Sequence, residues 1–132
     1  MEHSAHATFE LRYHLVLVTK YRRRVLNDAM LAHARQCFGE LLAKWRCRLL
    51  EFGGERDPVH ILFEATPVMD LSVLVANLKS ISSRRLRTKF RAQVLQFYRK
   101  PVFWSRAYYI GSVGHASLAT VQAYVEHQRG AA

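Results

Sequence analysis

Two short segments, far apart in the chain, contain the side chains best suited to phosphate chemistry. One segment contains Asp57, Pro58 and His60 at the start of an apolar run, and the other contains Tyr124 and Gln128 near the carboxyl end. Residues two apart in a strand project from the same face, and residues four apart in a helix share a face. Positions 58 and 60 therefore form a two-point clamp with His60 as one point, while Tyr124 and Gln128 bring a phenol and an amide oxygen to one site.

A phenol beside a divalent cation can attack phosphorus, and imidazole and hard oxygen ligands suit such cations. Each half of the pattern also has a plainer interpretation. An isolated histidine in an apolar strand is more often a hydrogen-bonded sheet residue than a ligand, and an isolated tyrosine on a helix is usually an aromatic at the edge of a core. The spacing between Tyr124 and Gln128 favours a shared site for these two residues.

The patterns along the chain predict one α+β domain over residues 1–132. Asn27 and Asp70 are placed to cap two helices, and a short terminal helix is expected from Ser117 to about Gln128. Strands are expected at residues 9–18, 47–52, 59–65 and 104–113. The order strand, helix, strand, strand, helix, strand, helix favours a mainly antiparallel sheet with helices packed on it, close to the split βαβ pattern.

Aromatic residues after the second helix alternate with basic ones, a mixture that can stack bases while it holds a phosphate backbone. We predict that Phe97 and Tyr98 lie in a loop and stack on bases. Trp104 and Tyr108 are expected instead to pack under the terminal helix.

The charge of the chain indicates a polyanionic partner. Twenty Lys and Arg against ten Asp and Glu give a formal net charge of +10, which attracts nucleic acid at long range. The basic residues expected to contact DNA follow the first strand or form a stripe on the second helix: Lys20, Arg22, Arg23, Arg84, Arg87 and Arg91. Neither a membrane-spanning run nor a secretory signal is evident, so a cytoplasmic protein is expected. Cys37 and Cys47 have no metal-ligand spacing and are interpreted as reduced packing residues.

Several separate motifs resemble one known family, the single-strand DNA transposases of the insertion-sequence 200/605 family, which are of the HUH type with one catalytic tyrosine. The resemblance covers nearly the whole chain. The matching segments are Tyr13-His14-Leu15-Val16, Thr19-Lys20-Tyr21-Arg22, Leu78-Lys79, Ser82-Ser83-Arg84-Arg85-Leu86, Phe103-Trp104-Ser105, Tyr108 to Gly114, and Tyr124-Val125 with Gln128.

The resemblance implies a ferredoxin-like fold that works as a homodimer on single-stranded or hairpin DNA at the ends of a mobile element. It implies that Tyr124 attacks the scissile phosphate to give a 5′-phosphotyrosine link and a free 3′-hydroxyl. It also implies a Mg²⁺ or Mn²⁺ cofactor, for which His60 and Gln128 are the expected ligands in this sequence. In the family, the tyrosine helix of one subunit lies against the metal site of the other.

The sequence departs from the family at Pro58, which stands where the family has the first histidine of a histidine-hydrophobic-histidine pair. Proline offers no metal ligand, so weak metal binding and impaired cleavage are expected. Asp57 is a possible substitute, although strand periodicity turns it to the opposite face. His115 and His127 are further candidates. Two alternatives therefore remain: a hairpin-DNA-binding protein of the same descent without catalysis, and an RNA-binding module.

Overall fold

A four-stranded antiparallel sheet dominates the computed structural model, which describes residues 3–4, 7–8 and 11–113. The predicted terminal helix lies outside these residues. In chain order the elements are β1 (His3–Ser4), β2 (Ala7–Thr8), β3 (Leu11–Thr19), a 3-10 turn (Lys20–Arg22), α1 (Asp28–Lys44), β4 (Arg48–Gly54), β5 (Val59–Ala65), α2 (Leu71–Lys89), α3 (Arg91–Leu95) and β6 (Trp104–Ser112).

The strands of the main sheet are arranged in the order β4-β5-β3-β6, and all neighbours are antiparallel. β1 and β2 form a separate two-stranded pair. The chain leaves β3 through α1 and reaches β4, and it leaves β5 through α2 and α3 and reaches β6. This is the split βαβ arrangement of a ferredoxin-like fold, so the predicted fold class is confirmed.

The two faces of the sheet differ in burial, and each strand contributes alternate side chains to each face because successive residues point in opposite directions. In β5, Val59, Ile61 and Phe63 are fully buried, whereas His60 between them is exposed. The buried faces of the strands and of α1 and α2 form one hydrophobic core. We call the other side of the sheet, which carries His60, the second face.

Polar caps begin both long helices where the sequence predicts them. The Asn27 side chain accepts a hydrogen bond from the Met30 backbone N–H at 2.9 Å. The Asp70 carboxylate accepts from the backbone N–H groups of Ser72 at 3.1 Å and Val73 at 3.2 Å. Each cap satisfies backbone donors that have no partner within the helix, which sets the start of the helix.

Three expectations about the region after α2 are wrong. The helix ends at Lys89, so Arg91 belongs to α3 and does not continue the stripe of α2. Tyr98 is only 4% exposed and cannot stack on a base. The Trp104 indole N–H donates to the Ser82 hydroxyl of α2 at 2.9 Å, so Trp104 packs in the main core.

Both cysteines agree with the sequence interpretation. Cys37 and Cys47 are free thiols, and both are buried in the main core. Burial raises the pKa of the Cys37 thiol, which keeps it protonated and unreactive.

Candidate nucleic-acid interface and imidazole site

The basic turn after β3 is anchored on several sides by the core. The carboxylate of Asp57 accepts a hydrogen bond from the Thr19 backbone N–H at 2.9 Å and also binds the Arg22 guanidinium. The Tyr98 hydroxyl donates to the Lys20 carbonyl at 2.6 Å. Burial raises the pKa of Tyr98 to about 12, so the phenol keeps the proton that it donates. The turn is therefore held in one conformation.

This anchoring stabilises a backbone conformation that residues other than glycine rarely adopt. Tyr21 and Arg22 have φ values of 57° and 55°, in the left-handed region. Each such residue costs on the order of 1 kcal/mol or more and persists only where surrounding contacts impose it. The contacts of Asp57 and Tyr98 supply that constraint, which holds Lys20 beside α2.

Three cations line an open depression between the basic turn, α2 and the start of β6. The depression has a volume of about 520 Å³, and Lys20, Lys79 and Arg106 are its charged residues. Ser80 and Ser83 add hydroxyl groups, and none of the described residues that line the depression is acidic. Because phosphate contacts in protein–DNA complexes come mainly from Lys, Arg and hydroxyl side chains, this composition suits a nucleic-acid backbone.

Lys79 of α2 is one of the cations that line this depression. Its ammonium group donates to the Arg106 carbonyl at 3.1 Å and lies 5.3 Å from the centre of the Tyr108 ring. Burial lowers the pKa of Lys79, and the charges of Lys20 and Arg106 lower it further. A bound phosphate would relieve this repulsion among like charges, so the depression favours anions.

A second depression of about 180 Å³ adjoins the first at Pro101. Its charged residues are again all basic: Arg87, Arg91, Arg99 and Lys100. We call the two depressions together the basic groove. It runs along one side of α2 and past α3, and it contains seven cations: Lys20, Lys79, Arg87, Arg91, Arg99, Lys100 and Arg106.

The residues predicted to contact DNA are not all in this groove. Lys20, Arg87 and Arg91 line it, whereas Arg84 is exposed on α2 and Arg23 is exposed after the turn, and neither of these two lines the groove. The Arg22 side chain is 9% exposed and forms an ion pair with Asp57.

Sequence reasoning did not single out Lys79 as a DNA contact, and it considered Arg106 only as one of the basic residues that alternate with aromatic ones after the second helix. Lys79 precedes Arg87 by eight residues, close to two helical turns, and this spacing was an available signal. Arg106 comes from β6, and only the tertiary fold brings it to the groove.

The second face of the sheet carries two histidines on neighbouring strands. His60 of β5 pairs with Val16 of β3, and His14 of β3 pairs with Leu62, so the two histidines are diagonal neighbours. His60 is exposed and His14 is half-buried. Partial desolvation lowers the pKa of His60, and His14 lowers it further. His60, the predicted ligand, thus presents an imidazole that a divalent ion can reach, which fits the implied cofactor.

The residues beside His60 supply no further ligand from its own strand. Pro58 is buried and offers no donor. Both carboxylate oxygens of Asp57 are already bonded, to Thr19 and Arg22, and its side chain is 4% exposed. Within the described residues, no three His, Cys, Asp or Glu side chains are grouped to hold a metal. Four candidates lie outside the described part of the chain: Tyr124, Gln128, His115 and His127.

The described residues thus combine a ferredoxin-like sheet, a groove whose charged lining residues are all basic, and an exposed imidazole on the second face of the sheet. In the described ranges, no helix is both long and apolar enough to span a membrane. The family described as "Transposase IS200 like" matches residues 7–128. The chain belongs to this family, whose members are HUH-type transposases with one catalytic tyrosine.

Individual relatives agree with this assignment. The transposase for insertion sequence element IS200 of Salmonella typhimurium is 36% identical over 129 residues, which cover 94% of this chain and 80% of the relative. The ISDra2 transposase TnpA of Deinococcus radiodurans is 28% identical over 120 residues, which cover 91% of this chain and 85% of the relative.

Two solved structures have the same fold. A crystal structure of a proposed transposase from Deinococcus radiodurans R1 superposes with a TM-score of 0.86 and 28% identity, over 97% of this chain and 98% of that one. A REP-associated tyrosine transposase, solved bound to a REP hairpin, has a TM-score of 0.57 and 9% identity, over 96% of this chain and 68% of that one. At such low identity the second likeness shows the fold alone.

Proposed function

We propose that this IS200-like transposase binds the single-stranded or hairpin DNA ends of its element along the basic groove and cleaves them with Tyr124. The observation that carries the binding step is the groove itself, where seven cations from five parts of the chain line one surface and no acidic residue of the described ranges joins them. A net charge of +10 adds long-range attraction for DNA.

The proposed cleavage is a transfer of the phosphoryl group from DNA to protein. The phenol of Tyr124 gives up its proton and its oxygen forms a bond to phosphorus, the bond from phosphorus to the 3′ oxygen breaks, and the 3′ oxygen takes up a proton. The products are a 5′-phosphotyrosine and a free 3′-hydroxyl. Attack by that hydroxyl on the phosphotyrosine would rejoin the strand, so the reaction needs no nucleotide cofactor.

A divalent ion, Mg²⁺ or Mn²⁺, would stabilise the charge that develops on the scissile phosphate. His60 and Gln128 are its proposed protein ligands. Both ions favour oxygen ligands, but Mn²⁺, a transition metal, accepts an imidazole more readily than Mg²⁺ does, so Mn²⁺ is the better probe of this site. Pro58 stands where the family has a metal-ligand histidine. We expect this change to slow cleavage and to leave the affinity of the basic groove for DNA unchanged.

The first prediction concerns the salt dependence of binding. Arg87→Ala with Arg91→Ala should weaken hairpin binding and flatten the plot of log affinity against log salt concentration. Each phosphate contact adds about 0.7 to 0.9 to the slope, so two lost contacts remove roughly 1.4 to 1.8. Fluorescence anisotropy with labelled hairpin DNA, at several salt concentrations, measures the change.

A matched pair of substitutions controls for the loss of net charge. Arg35 and Arg48 are exposed on α1 and β4, away from the groove. Arg35→Ala with Arg48→Ala removes the same charge and should leave the slope nearly unchanged. Equal slopes for the two double variants would exclude the groove as the DNA-binding surface, and tighter binding to the matching RNA would favour an RNA-binding role.

The second prediction is that the chain is a dimer when it binds DNA. In a pair related by a two-fold axis, the tyrosine helix of each subunit would complete the metal site of the other. Sedimentation velocity at micromolar protein with hairpin DNA should show two protein chains in each complex. A complex with a single chain would rule out a composite site.

A second candidate function is hairpin binding without cleavage. It is favoured by Pro58 and by the engagement of Asp57 with Thr19 and Arg22, since together they leave His60 without a ligand from its own strand. Binding that persists while cleavage stays absent with Mn²⁺ would select this candidate.

A further inference from the structure

Tyr98 connects the two depressions of the basic groove. The residue lines the second depression, and its hydroxyl donates a hydrogen bond of 2.6 Å to the carbonyl of Lys20, which lines the first. Tyr98 is only 4% exposed, so it offers almost no surface to DNA. Any effect of Tyr98 on DNA binding must therefore pass through the residue that it holds.

The backbone of Lys20 is anchored at both of its peptide groups by the segment that joins the two depressions. The Lys20 N–H donates to the Phe103 carbonyl at 2.8 Å, and the Lys20 carbonyl accepts from Tyr98. The rings of Tyr98 and Phe103 pack edge to face in the core, with their centres 6.3 Å apart. A buried aromatic pair thus supports the backbone of this one lysine.

The bond from Tyr98 acts on the most strained point of the basic turn. The Lys20 carbonyl belongs to the peptide group that precedes Tyr21, and the orientation of that group helps to set the φ of Tyr21, which is 57°. Within the turn, the same carbonyl accepts a longer bond of 3.3 Å from the Arg23 backbone N–H. Residues other than glycine persist in the left-handed region only where surrounding contacts impose it. Loss of the Tyr98 hydroxyl would therefore let the turn relax.

The position of Lys20 matters because three cations act together in the first depression. Lys20, Lys79 and Arg106 line it, and burial and then the charge of Lys20 lower the pKa of Lys79. The ammonium groups of the two lysines are thus close enough to interact. A turn that relaxes would move one of these charges away from the others and remove a phosphate contact.

We infer that Tyr98 is a positioning residue for DNA binding, which holds Lys20 in place beside Lys79 and Arg106. The inference rests on the proposed binding of DNA along the basic groove. Tyr98 directly precedes Arg99 and Lys100, which line the second depression. The same short segment therefore fixes the cations of one depression relative to those of the other.

The test compares hairpin binding by the complete unmodified chain and by Tyr98→Phe. Phenylalanine keeps the ring against Phe103 and removes only the hydroxyl. Fluorescence anisotropy of a labelled hairpin DNA with single-stranded flanks, at several salt concentrations, gives the plot of log affinity against log salt concentration. Loss of one phosphate contact should lower the slope by about 0.7 to 0.9. Lys20→Ala, which removes the contact directly, should lower it by the same amount.

A double-mutant cycle distinguishes positioning from a general loss of stability. In the Lys20→Ala background, Tyr98→Phe should have no further effect on affinity or slope, since the residue through which it acts is absent. Asn77→Ala is the matched control. It removes the hydrogen bond of 3.2 Å from the Trp45 indole N–H, and neither of these two residues lines the groove. It should lower stability and leave the slope unchanged.

Tyr21→Gly adds a rescue experiment. Glycine adopts a positive φ without steric cost, so the turn needs less support from Tyr98 when residue 21 is glycine. In the Tyr98→Phe background, Tyr21→Gly should recover part of the lost slope, and it keeps the comparison possible if Tyr98→Phe alone is unstable. A slope that stays low would show that the hydroxyl does not act through the conformation of the turn, and the inference would be wrong.

The remaining outcomes separate the inference from the proposed function. An unchanged slope in Tyr98→Phe, with a lower slope in Lys20→Ala, would overturn the role of Tyr98 and leave DNA binding by the groove intact. Additive losses in the double variant would show that Tyr98 does not act through Lys20. If Lys20→Ala and the double variant Arg87→Ala with Arg91→Ala both keep the full slope, the groove does not bind DNA and the proposed function itself fails.

Discussion

Tyr124→Phe is expected to abolish the covalent protein–DNA adduct completely. Phenylalanine keeps the ring and its packing but lacks the oxygen that would bond to phosphorus. The measurement is a denaturing gel of labelled hairpin DNA with a single-stranded flank, incubated with the protein and Mn²⁺. Binding to the same DNA should not change, because the basic groove is intact.

Tyr21→Phe is the matched control for this experiment. Tyr21 is 59% exposed and its ring lies beside the Lys20 ammonium group, so its phenol is an accessible alternative nucleophile near the groove. The Tyr21→Phe variant should form the adduct as readily as the unmodified chain. Loss of the adduct in Tyr21→Phe, and not in Tyr124→Phe, would show that the nucleophile is misassigned.

Pro58→His extends the same gel to the metal site. An added imidazole on the strand of His60 should raise the rate of adduct formation severalfold, and Tyr124→Phe in that background should abolish the adduct again. If the unmodified chain reacts as fast as Pro58→His, Pro58 does not impair the enzyme.

Much of the fold could be predicted from the sequence because its signals are local. The apolar alternation from Val59 to Phe63 predicts a strand with one buried face, and β5 has the expected bounds. Asn27 and Asp70 each precede an apolar helical pattern, and both act as caps. Such signals depend on neighbours in sequence, so they need no knowledge of the tertiary structure.

The site was harder to predict because its residues meet through the tertiary fold. A regular helical spacing suggested that Arg84, Arg87 and Arg91 form one stripe, but α2 ends before Arg91. Arg106 reaches Lys79 only through the packing of β6 beside α2. His14 becomes a neighbour of His60 through the register of two strands, which the sequence alone does not specify.

Tyr98 and Arg22 show why residue type alone does not predict which side chains contact DNA. A tyrosine next to basic residues and an arginine in a basic turn both suggest contact with DNA. In the fold, Tyr98 donates a hydrogen bond to the Lys20 carbonyl, and Arg22 pairs with Asp57. Residue type and local charge cannot distinguish a side chain that binds a ligand from one that supports the residue that does.

Asp57→Ala is expected to lower the free energy of unfolding by about 3 to 5 kcal/mol. Breaking a buried ion pair by removing one partner commonly destabilises a protein by about this much. Here the Arg22 guanidinium would lose its carboxylate while 9% exposed, and the Thr19 backbone N–H would lose its acceptor. Urea denaturation of the complete chain measures the loss. Glu55→Ala, at an exposed carboxylate two residues earlier, should change stability by less than about 1 kcal/mol.

The same position separates a structural role for Asp57 from a role as metal ligand. Asp57→Asn keeps the size of the side chain and should destabilise the protein, but the folded variant should bind Mn²⁺ as tightly as the unmodified chain. The double variant with Arg22→Ala should lose less stability than the sum of the single variants, because the two residues act as a pair. A fall in Mn²⁺ affinity in folded Asp57→Asn, with additive losses of stability, would instead make Asp57 the ligand that replaces the missing histidine.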